Sequence, residues 1–264
     1  MEPTPLKQII DLSSKVAIVT GGAMGIGFGI AYRLAEAGAS VVIADLDKAA
    51  AEKAAATLTA NGWKALAIDA DVSIEDQAAR MMQTAVSTFG GIDILINNAG
   101  IYPTIPVMQM QAKDFDRILS TNVKSAFLCT KMAADQMIRQ GRGGKIINIT
   151  SIDALHPSAV GLAAYDASKH GLWGFTKNTA LELAPHKIWV NAIAPGGIAT
   201  PGTGVGKPVS KELENIKKLF LAKIPMHRMG ESDEIGKVAL FLASDLSSYM
   251  TGSQVIVDGG VLLA

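Results

Sequence analysis

The chain has 264 residues, of which 49% are hydrophobic and 18% charged, enough apolar material for the core of one large α/β domain. Lys plus Arg and Asp plus Glu both number 24, so the formal net charge is +0 and we expect no nucleic-acid partner. Residues 1–14 lack a signal-peptide pattern and no apolar stretch is as long as a membrane span, so we expect no membrane partner either.

Short β-branched runs alternate along the chain with longer Ala-rich amphipathic stretches. The runs predict strands at Val16–Val19, Val41–Ala44, Lys64–Ile68, Ile92–Ile96, Lys145–Thr150, Ile188–Ile193 and Gln254–Val257. The stretches predict helices at Gly25–Ala37, Lys48–Ala60, Glu75–Phe89, Asp114–Arg139, Leu162–Leu183, Lys211–Leu221 and Asp233–Ala243. This alternation is typical of parallel strands joined by helical crossovers, so we predict an α/β doubly wound sheet with helices on both faces. Residues 1–14 would form an arm, and residues 15–264 a single domain.

The turn between the first strand and the first helix is rich in glycine. Glycine allows a tight turn and lets the backbone approach a pyrophosphate, and the helix N-terminus offers free N–H groups to its charge. The strand–turn–helix context therefore predicts a dinucleotide site. Its expected contacts are Gly21, Met24, Gly25, Ile26 and Gly27.

Asp45 ends the second strand and is followed by Leu46. An acid in this place accepts hydrogen bonds from the adenosine ribose and repels a 2′-phosphate. Met24 is uncharged and no Arg or Lys directly follows Asp45, so the pattern favours NAD over NADP. The alternative is that Asp45 only starts a turn.

Two further clusters follow the third and fourth strands. Asp71 and Val72 are placed to meet the adenine, and the small Ala99 and Gly100 after Asn98 leave room for a flat ligand. Turn chemistry alone would also explain either cluster.

Tyr165 and Lys169 lie four residues apart in a predicted helix, so both side chains share one face. A phenol beside an ammonium makes an acid/base pair, and we expect the positive charge to lower the pKa of Tyr165. Taken alone, the spacing is weak evidence, because it is far more often found on an exposed helix face.

Together with Asn122, Ser151, Pro195–Gly196 and Asp258–Gly260, these segments resemble the short-chain dehydrogenase/reductase family, from about Lys15 to Gly260. The resemblance implies a single-domain Rossmann fold with a seven-stranded parallel sheet, often assembled as a homotetramer. It also implies hydride transfer between a nicotinamide and an alcohol or carbonyl.

The resemblance also implies a role for each catalytic residue. Tyr165 would exchange the proton of the alcohol, Lys169 would hold the nicotinamide ribose, and Ser151 would bond the substrate oxygen. Asn122 would hold a water that links Lys169 to solvent. Thirteen residues separate Ser151 from Tyr165, where the family usually has twelve. Since Ile152 cannot do this chemistry, we place the extra residue in the loop 156–161.

The segment after the sixth main strand resembles the family's nicotinamide contacts. The expected residues are Pro195, Gly196, Ile198 and Thr200. Its continuation holds several glycines and two prolines, and we predict a substrate lid around residues 196–225, the alternative being a surface loop. Lys207, Lys211, His227 and Arg228 would put positive charge near such a lid.

The expected substrate contacts are Ser151, Asp153, His156, Tyr165 and Gly197. Asp153 and His156 are polar, which favours a sugar, polyol or related secondary alcohol oxidised by NAD. A cyclic or aromatic secondary alcohol comes next. One alternative is a 3-oxoacyl-thioester reductase, although such enzymes typically use NADPH. Another is a non-catalytic dinucleotide-binding scaffold.

Cys129 is the only cysteine, which excludes a disulfide within the chain and suits a reducing cytoplasm. It lies in an apolar helical run, where a buried and inert thiol is expected. We expect no metal site. The helices predicted over Asp114–Arg139 and Leu162–Leu183 carry more apolar residues than one buried stripe needs, so we expect a homo-oligomer.

Overall fold

The computed structural model describes residues 3–157, 159–203 and 221–264, and a parallel sheet forms its centre. Its strands are β1 (Val16–Thr20), β2 (Ser40–Asp45), β3 (Ala65–Asp69), β4 (Ile94–Asn97), β5 (Gly144–Ile149), β6 (Ile188–Pro195), β7 (Ile198–Ala199), β8 (Gly230–Glu231) and β9 (Gln254–Val257). Seven of them form one sheet in the order β3-β2-β1-β4-β5-β6-β9, and β7 pairs with β8 in a small separate sheet. All pairs in the main sheet are parallel, which confirms the predicted doubly wound architecture.

The strand order reverses next to β1, because the chain first adds β2 and β3 on one side and then β4 and β5 on the other. Ligands of such sheets bind beyond the carboxyl ends of the strands at this switch point. The turns that follow β1 and β4 therefore border the expected ligand-binding site.

The described helices are α1 (Leu6–Ile9), α2 (Gly25–Glu36), α3 (Lys48–Ala60), α4 (Glu75–Phe89), α5 (Ala112–Leu119), α6 (Ser125–Gln140), α7 (Ala163–Leu183) and α8 (Ser232–Ala243). Most predicted helices lie within a few residues of these bounds. Residues 211–220 of the helix predicted over Lys211–Leu221 lie outside the described residues. None of the helices that the structure describes is long and apolar enough to cross a bilayer.

The segment predicted as helix over Asp114–Arg139 is helical throughout, which agrees with the prediction. A π-helical turn, Ser120–Lys124, connects α5 to α6. Such turns insert one residue into a helix and are frequent at functional sites. The residues of this turn carry no helix-breaking signal, so the sequence did not predict it.

Two apolar layers cover the sheet, one on each face. Alternate residues of β1 point to opposite sides, so Ala17 and Val19 join the layer with α2, α3 and α8, while Ile18 joins the layer with α4 and α6. All five residues of β1 are buried, as expected for a strand covered on both faces. Cys129 lies in the second layer, and burial raises the pKa of its thiol to about 12, which makes it unreactive.

The N-terminal arm places its short helix α1 on the surface with no buried residue. Leu12 behind it is 2% exposed and packs into the first apolar layer. The arm is thus joined to the domain by one buried side chain.

Candidate active site

A cavity of about 600 Å³ opens at the carboxyl ends of the central strands. Of the residues predicted for the site, it is lined by Met24, Gly25, Ile26, Gly27, Asn98, Gly100, Ser151, Asp153, Tyr165, Lys169, Pro195, Gly196, Gly197, Ile198 and Thr200. A second cavity of about 240 Å³ lies on the β2 and β3 side, lined among others by Gly21, Met24, Asp45, Leu46, Asp71, Val72, Asn98, Ala99 and Gly100. The two cavities share Met24, Asn98 and Gly100, so they are adjoining parts of one elongated groove.

The turn after β1 can be built only with glycine at two positions. Gly21 has φ +59°, and a Cβ there would lie 3.0 Å from Nδ2 of Asn98. A Cβ on Gly27 would overlap the carbonyl oxygen of Gly21. Helix α2 begins after Met24 without a side-chain cap. An uncapped helix start behind a glycine turn fits a pyrophosphate group of a dinucleotide.

Thr20 and Asn98 tie the turn after β1 to the turn after β4. The Thr20 hydroxyl accepts hydrogen bonds from the backbone N–H groups of Asn98 and Ala99 at 3.0 and 3.1 Å. The Asn98 amide in turn donates to the carbonyl oxygens of Thr20 and Gly21, each at 2.9 Å. Both walls of the groove are therefore fixed relative to each other.

Asp45 holds the glycine turn from the other side. Its Oδ2 accepts from the N–H of Ala23 at 3.1 Å, and its Oδ1 accepts from the N–H of Asp47 at 3.2 Å. The half-buried carboxylate lines the smaller cavity, and its oxygens have the chemistry to accept a hydrogen bond from a ribose hydroxyl. Asp71 lies across this cavity and accepts from the backbone and hydroxyl of Ser73.

The predicted acid/base pair lies on α7 and faces the larger cavity. Lys169 is 4% exposed, and its Nζ lies 5.6 Å from the centre of the Tyr165 ring and donates to the carbonyl oxygen of Ile149 at 2.8 Å. Ser151 follows β5, and a hydrogen bond with its side chain acts to lower the pKa of Tyr165. The structure thus brings Ser151, Tyr165 and Lys169 together, whereas Ile152 begins a short 3₁₀ helix.

The pKa of Tyr165 shifts in the opposite direction to the one predicted. Burial raises it well above its ordinary value, and the Ser151 side chain offsets only part of this effect. Burial also lowers the pKa of Lys169 to about 8. Each shift has the same cause, since a site with little water disfavours both the phenolate and the ammonium ion. In the unliganded protein Tyr165 is therefore a neutral phenol.

Asn122 lies in the π-helical turn and lines neither cavity. Its side chain donates to the carbonyl oxygen of Ile101 and to the Ser168 hydroxyl, each at 2.9 Å, and accepts from the N–H of Ile101 at 2.8 Å. It lies beneath Gly100, because a Cβ there would be 3.3 Å from the Asn122 amide oxygen and 3.6 Å from Nζ of Lys169. The amide therefore braces the floor of the site between Ile101 and α7.

The two polar residues predicted for the substrate differ in position. Asp153 is 7% exposed and lines the cavity, and its N–H donates to the Ser151 hydroxyl at 3.1 Å. His156 is exposed and lines neither cavity, with Nδ1 2.9 Å from the carbonyl oxygen of Pro157. The geometry gives no support to the expectation that His156 meets the substrate, because the chain has turned outward before it.

Several apolar residues complete the wall opposite the glycine turn. The Tyr102 ring packs edge-on to that of Tyr165, with the ring centres 6.1 Å apart. Leu162 and Met229 also line the cavity but were not predicted. Leu162 precedes Tyr165 by three residues, so helical spacing could have found it. Met229 arrives from a distant segment, and no pattern in the sequence marks it.

The predicted lid is described only at its two ends. Residues 196–203 include β7 and line the larger cavity through Gly196, Ile198 and Thr200, whereas residues 204–220 lie outside the described residues. Lys207 and Lys211 fall in that gap. Arg228 pairs with Glu234 at 2.7 Å, so its charge is already satisfied within the chain.

Comparison with known proteins gives matches along nearly the whole chain. The family described as "Enoyl-(Acyl carrier protein) reductase" matches residues 21–262. The "Uncharacterized oxidoreductase YohF" of Escherichia coli K12 is 38% identical over 252 residues, or 95% of this chain and 97% of that protein. The "3-oxoacyl-[acyl-carrier-protein] reductase FabG" of Staphylococcus epidermidis is 39% identical over 253 residues, or 95% and 100%. A solved 7α-hydroxysteroid dehydrogenase, complexed with NADH and 7-oxo glycochenodeoxycholic acid, superposes with a TM-score of 0.90 at 34% identity, covering 97% of this chain and 98% of that one.

Proposed function

Because the chain belongs to the short-chain dehydrogenase/reductase family of oxidoreductases, we propose that it interconverts a secondary alcohol and its ketone with NAD(H). The substrate we propose is a sugar, a polyol or a related hydroxy compound. The observation that carries the proposal is one groove that holds an uncapped helix start, an acidic residue at the end of β2, and a buried Tyr165–Lys169 pair beside Ser151.

In this proposal each residue acts on the substrate oxygen or on the cofactor. Tyr165 exchanges the proton of the substrate hydroxyl, and Ser151 bonds the same oxygen. Lys169 holds the nicotinamide ribose, and Asn122 keeps Lys169 in register through Ile101 and α7. The nicotinamide, when bound, supplies the carbon that accepts or returns a hydride. Ile198 and Thr200 border the larger cavity and would contact the carboxamide of the nicotinamide.

The neutral state of Tyr165 in the unliganded protein fits this chemistry. A protonated phenol is ready to donate a proton to a carbonyl oxygen, whereas oxidation of an alcohol needs the phenolate. The positive charge of the oxidised cofactor near Tyr165 would favour the phenolate, because an opposite charge in a poorly hydrated site acts strongly. With the oxidised cofactor bound, Tyr165 would therefore shift towards the phenolate form that oxidation of an alcohol needs.

A second candidate function is the reduction of a 3-oxoacyl thioester. The relative named as a 3-oxoacyl-[acyl-carrier-protein] reductase, which matches 95% of this chain, favours it. Against it stands Asp45, whose carboxylate faces the smaller cavity and would repel the 2′-phosphate of NADP. The solved relative that contains NADH is consistent with the NAD preference that we propose.

Absorbance at 340 nm separates these functions. We expect NADH to appear when the purified protein meets NAD and a panel of sugars, polyols and secondary alcohols. Oxidation of NADPH by a 3-oxoacyl thioester, without turnover of any alcohol, would favour the second candidate. Binding of NADH without turnover of any compound would indicate the non-catalytic scaffold instead.

Asp45→Asn should weaken the preference for NAD over NADP by about tenfold or more, because it removes a charged acceptor for the ribose and the repulsion of the 2′-phosphate. The measurement is the ratio of kcat/KM for the two cofactors, which is insensitive to a general loss of activity. Asp47→Asn is the matched control. It lies two residues further on and caps α3 by accepting from the N–H of Ala50 at 3.0 Å, a role that Asn can also fill. An unchanged ratio in the Asp45 variant would show that this carboxylate does not contact the ribose.

We also propose a homotetramer. The rings of Phe127 on α6 and Phe175 on α7 pack 6.5 Å apart, and Phe127 remains 45% exposed. Leu181, further along α7, is 76% exposed. Exposed apolar side chains on two adjacent helices are typical of a surface that a second chain covers. We expect sedimentation equilibrium at micromolar concentration to give the mass of four chains, and a monomer there would contradict the proposal.

A cytoplasmic location stays a prediction, supported by the single, buried cysteine.

A further inference from the structure

The larger cavity contains a buried carboxylate that the proposed chemistry of Ser151, Tyr165 and Lys169 leaves unused. Asp153 lines the cavity beside Ser151 and Tyr165 and is 7% exposed. Its Oδ1 has no hydrogen-bond partner in the part of the chain that the structure describes. Burying a carboxylate oxygen without a donor is unfavourable, so a ligand that brings a donor into the cavity would relieve the cost.

The backbone fixes Asp153 relative to the reacting centre. Its N–H donates to the Ser151 hydroxyl at 3.1 Å, and both residues belong to the start of the 3₁₀ helix Ile152–Ala154. Asp153 and Tyr165 line the same cavity, and besides burial the negative charge of Asp153 acts to raise the pKa of Tyr165. A substrate oxygen held by Ser151 and Tyr165 therefore has Asp153 beside it.

The side chains around Asp153 leave its charge available to a ligand. Tyr102 and Tyr165 contribute aromatic rings, and Asp166 is a second acid whose Oδ1 has no hydrogen-bond partner among the described residues. Lys169 interacts with the charge of Asp153, but its Nζ donates to the carbonyl oxygen of Ile149 at 2.8 Å. The geometry therefore favours a ligand that donates a hydrogen bond to Asp153.

We propose that Asp153 accepts a hydrogen bond from a second hydroxyl of the substrate, on the carbon next to the carbinol carbon, and so selects vicinal diols and α-hydroxy ketones. This inference rests on the proposed function and narrows its substrate class. It also separates that class from 3-oxoacyl thioesters, which carry a second carbonyl oxygen near the reacting carbon. A carbonyl oxygen and the Asp153 carboxylate both carry negative charge and both only accept hydrogen bonds. They would repel each other, and neither would gain a hydrogen bond.

The test compares diols with matched mono-alcohols, using the full chain with NAD. The pairs are butane-2,3-diol with butan-2-ol and cyclohexane-1,2-diol with cyclohexanol, each diol as separate stereoisomers. We expect the wild type to prefer at least one diol by about 10²-fold or more in kcat/KM, since a site built to bond a hydroxyl rejects the analogue that lacks it. Asp153→Ala should lower this ratio by about tenfold or more.

Two further variants separate recognition from folding and from a general charge effect. Asp153→Asn keeps the size of the side chain and should lower the ratio as well, while fluorescence titration should give an unchanged Kd for NADH. Asp166→Asn removes another acid whose charge also raises the pKa of Tyr165 but which does not line the cavity. We expect this control to leave the ratio of diol to mono-alcohol unchanged.

Failure of the role of Asp153 and failure of the proposed dehydrogenase function give different results. Equal turnover of diols and mono-alcohols by the wild type, or a ratio that neither Asp153 variant changes, would overturn the role of Asp153 and leave the dehydrogenase intact. A wild-type protein that binds NADH and oxidises no alcohol of any kind would overturn the proposed function itself, and with it the inference.

Discussion

Tyr165→Phe should lower kcat by about 10²- to 10⁴-fold, the contribution typical of a positioned acid/base group. The variant keeps the ring that packs against Tyr102 and loses only the phenol oxygen, which in the proposed function exchanges the proton. We therefore expect the Kd for NADH, measured by fluorescence titration, to stay within a factor of a few of the wild type. Loss of turnover with retained binding is the signature of a residue that acts on the chemical step.

Tyr102→Phe provides the matched control for this result. It removes a second phenol from the same cavity. Tyr102 lies in a loop, however, and not one helical turn before a lysine as Tyr165 does. We expect a loss of less than about tenfold, since an acid/base role contributes more than that. Near-normal rates in the Tyr165 variant, or equal losses in both variants, would exclude Tyr165 as the acid/base.

Lys169→Met should lower turnover by about 10²-fold or more, because in the proposed function this ammonium stabilises the phenolate and holds the ribose. The same variant should be more stable than the wild type at pH 7. Burial lowers the pKa of Lys169 from its ordinary 10.5 to about 8, so below pH 8 the folded protein holds an ammonium ion in an unfavourable place. The free energy of unfolding should increase by at most about 3 kcal/mol. Loss of the hydrogen bond to Ile149 makes the increase smaller.

Proton linkage gives the direction in which the stability of the wild type changes with pH. Between pH 8 and 10.5 the unfolded chain keeps the lysine proton while the folded protein has lost it, so wild-type stability rises with pH in this window. The advantage of Lys169→Met should therefore shrink as the pH increases, which urea unfolding at pH 7, 9 and 10 would measure. Lys177 is an exposed lysine on the same helix. Lys177→Met should change neither the turnover rate nor the pH dependence of stability. A stability difference that is constant with pH would contradict the buried ammonium.

The parts of the fold that depend on local pattern were predictable. The bounds of α3, α4 and β9 agree with the sequence prediction because β-branched runs and helical stripes are local signals. The glycine turn was predictable for the same reason, as its backbone needs residues without a Cβ. The placement of Asp45 at the end of β2 followed from the length of that strand.

Features set by contacts between distant segments were not predictable. The direction of the pKa shift of Tyr165 depends on how completely its surroundings exclude water, and those surroundings include Tyr102 and Met229 on separate segments. The π-helical turn depends on the bonds of Asn122 to Ile101 and Ser168, which no spacing along one helix reveals. The exposed position of His156 could not be predicted either, because the direction of a loop depends on what it packs against.

The extra residue in the turn Ser120–Lys124 has a consequence for how this helix can change. Deleting one residue there would restore regular α-helical pairing and leave α5 and α6 in nearly their present orientation, because a π turn absorbs its extra residue locally. The amide of Asn122 would then leave its place beside Ile101, whose N–H and carbonyl oxygen it bonds. The widened turn looks like the weakest point of the helix's hydrogen-bond ladder, yet it is what anchors the loop at Ile101.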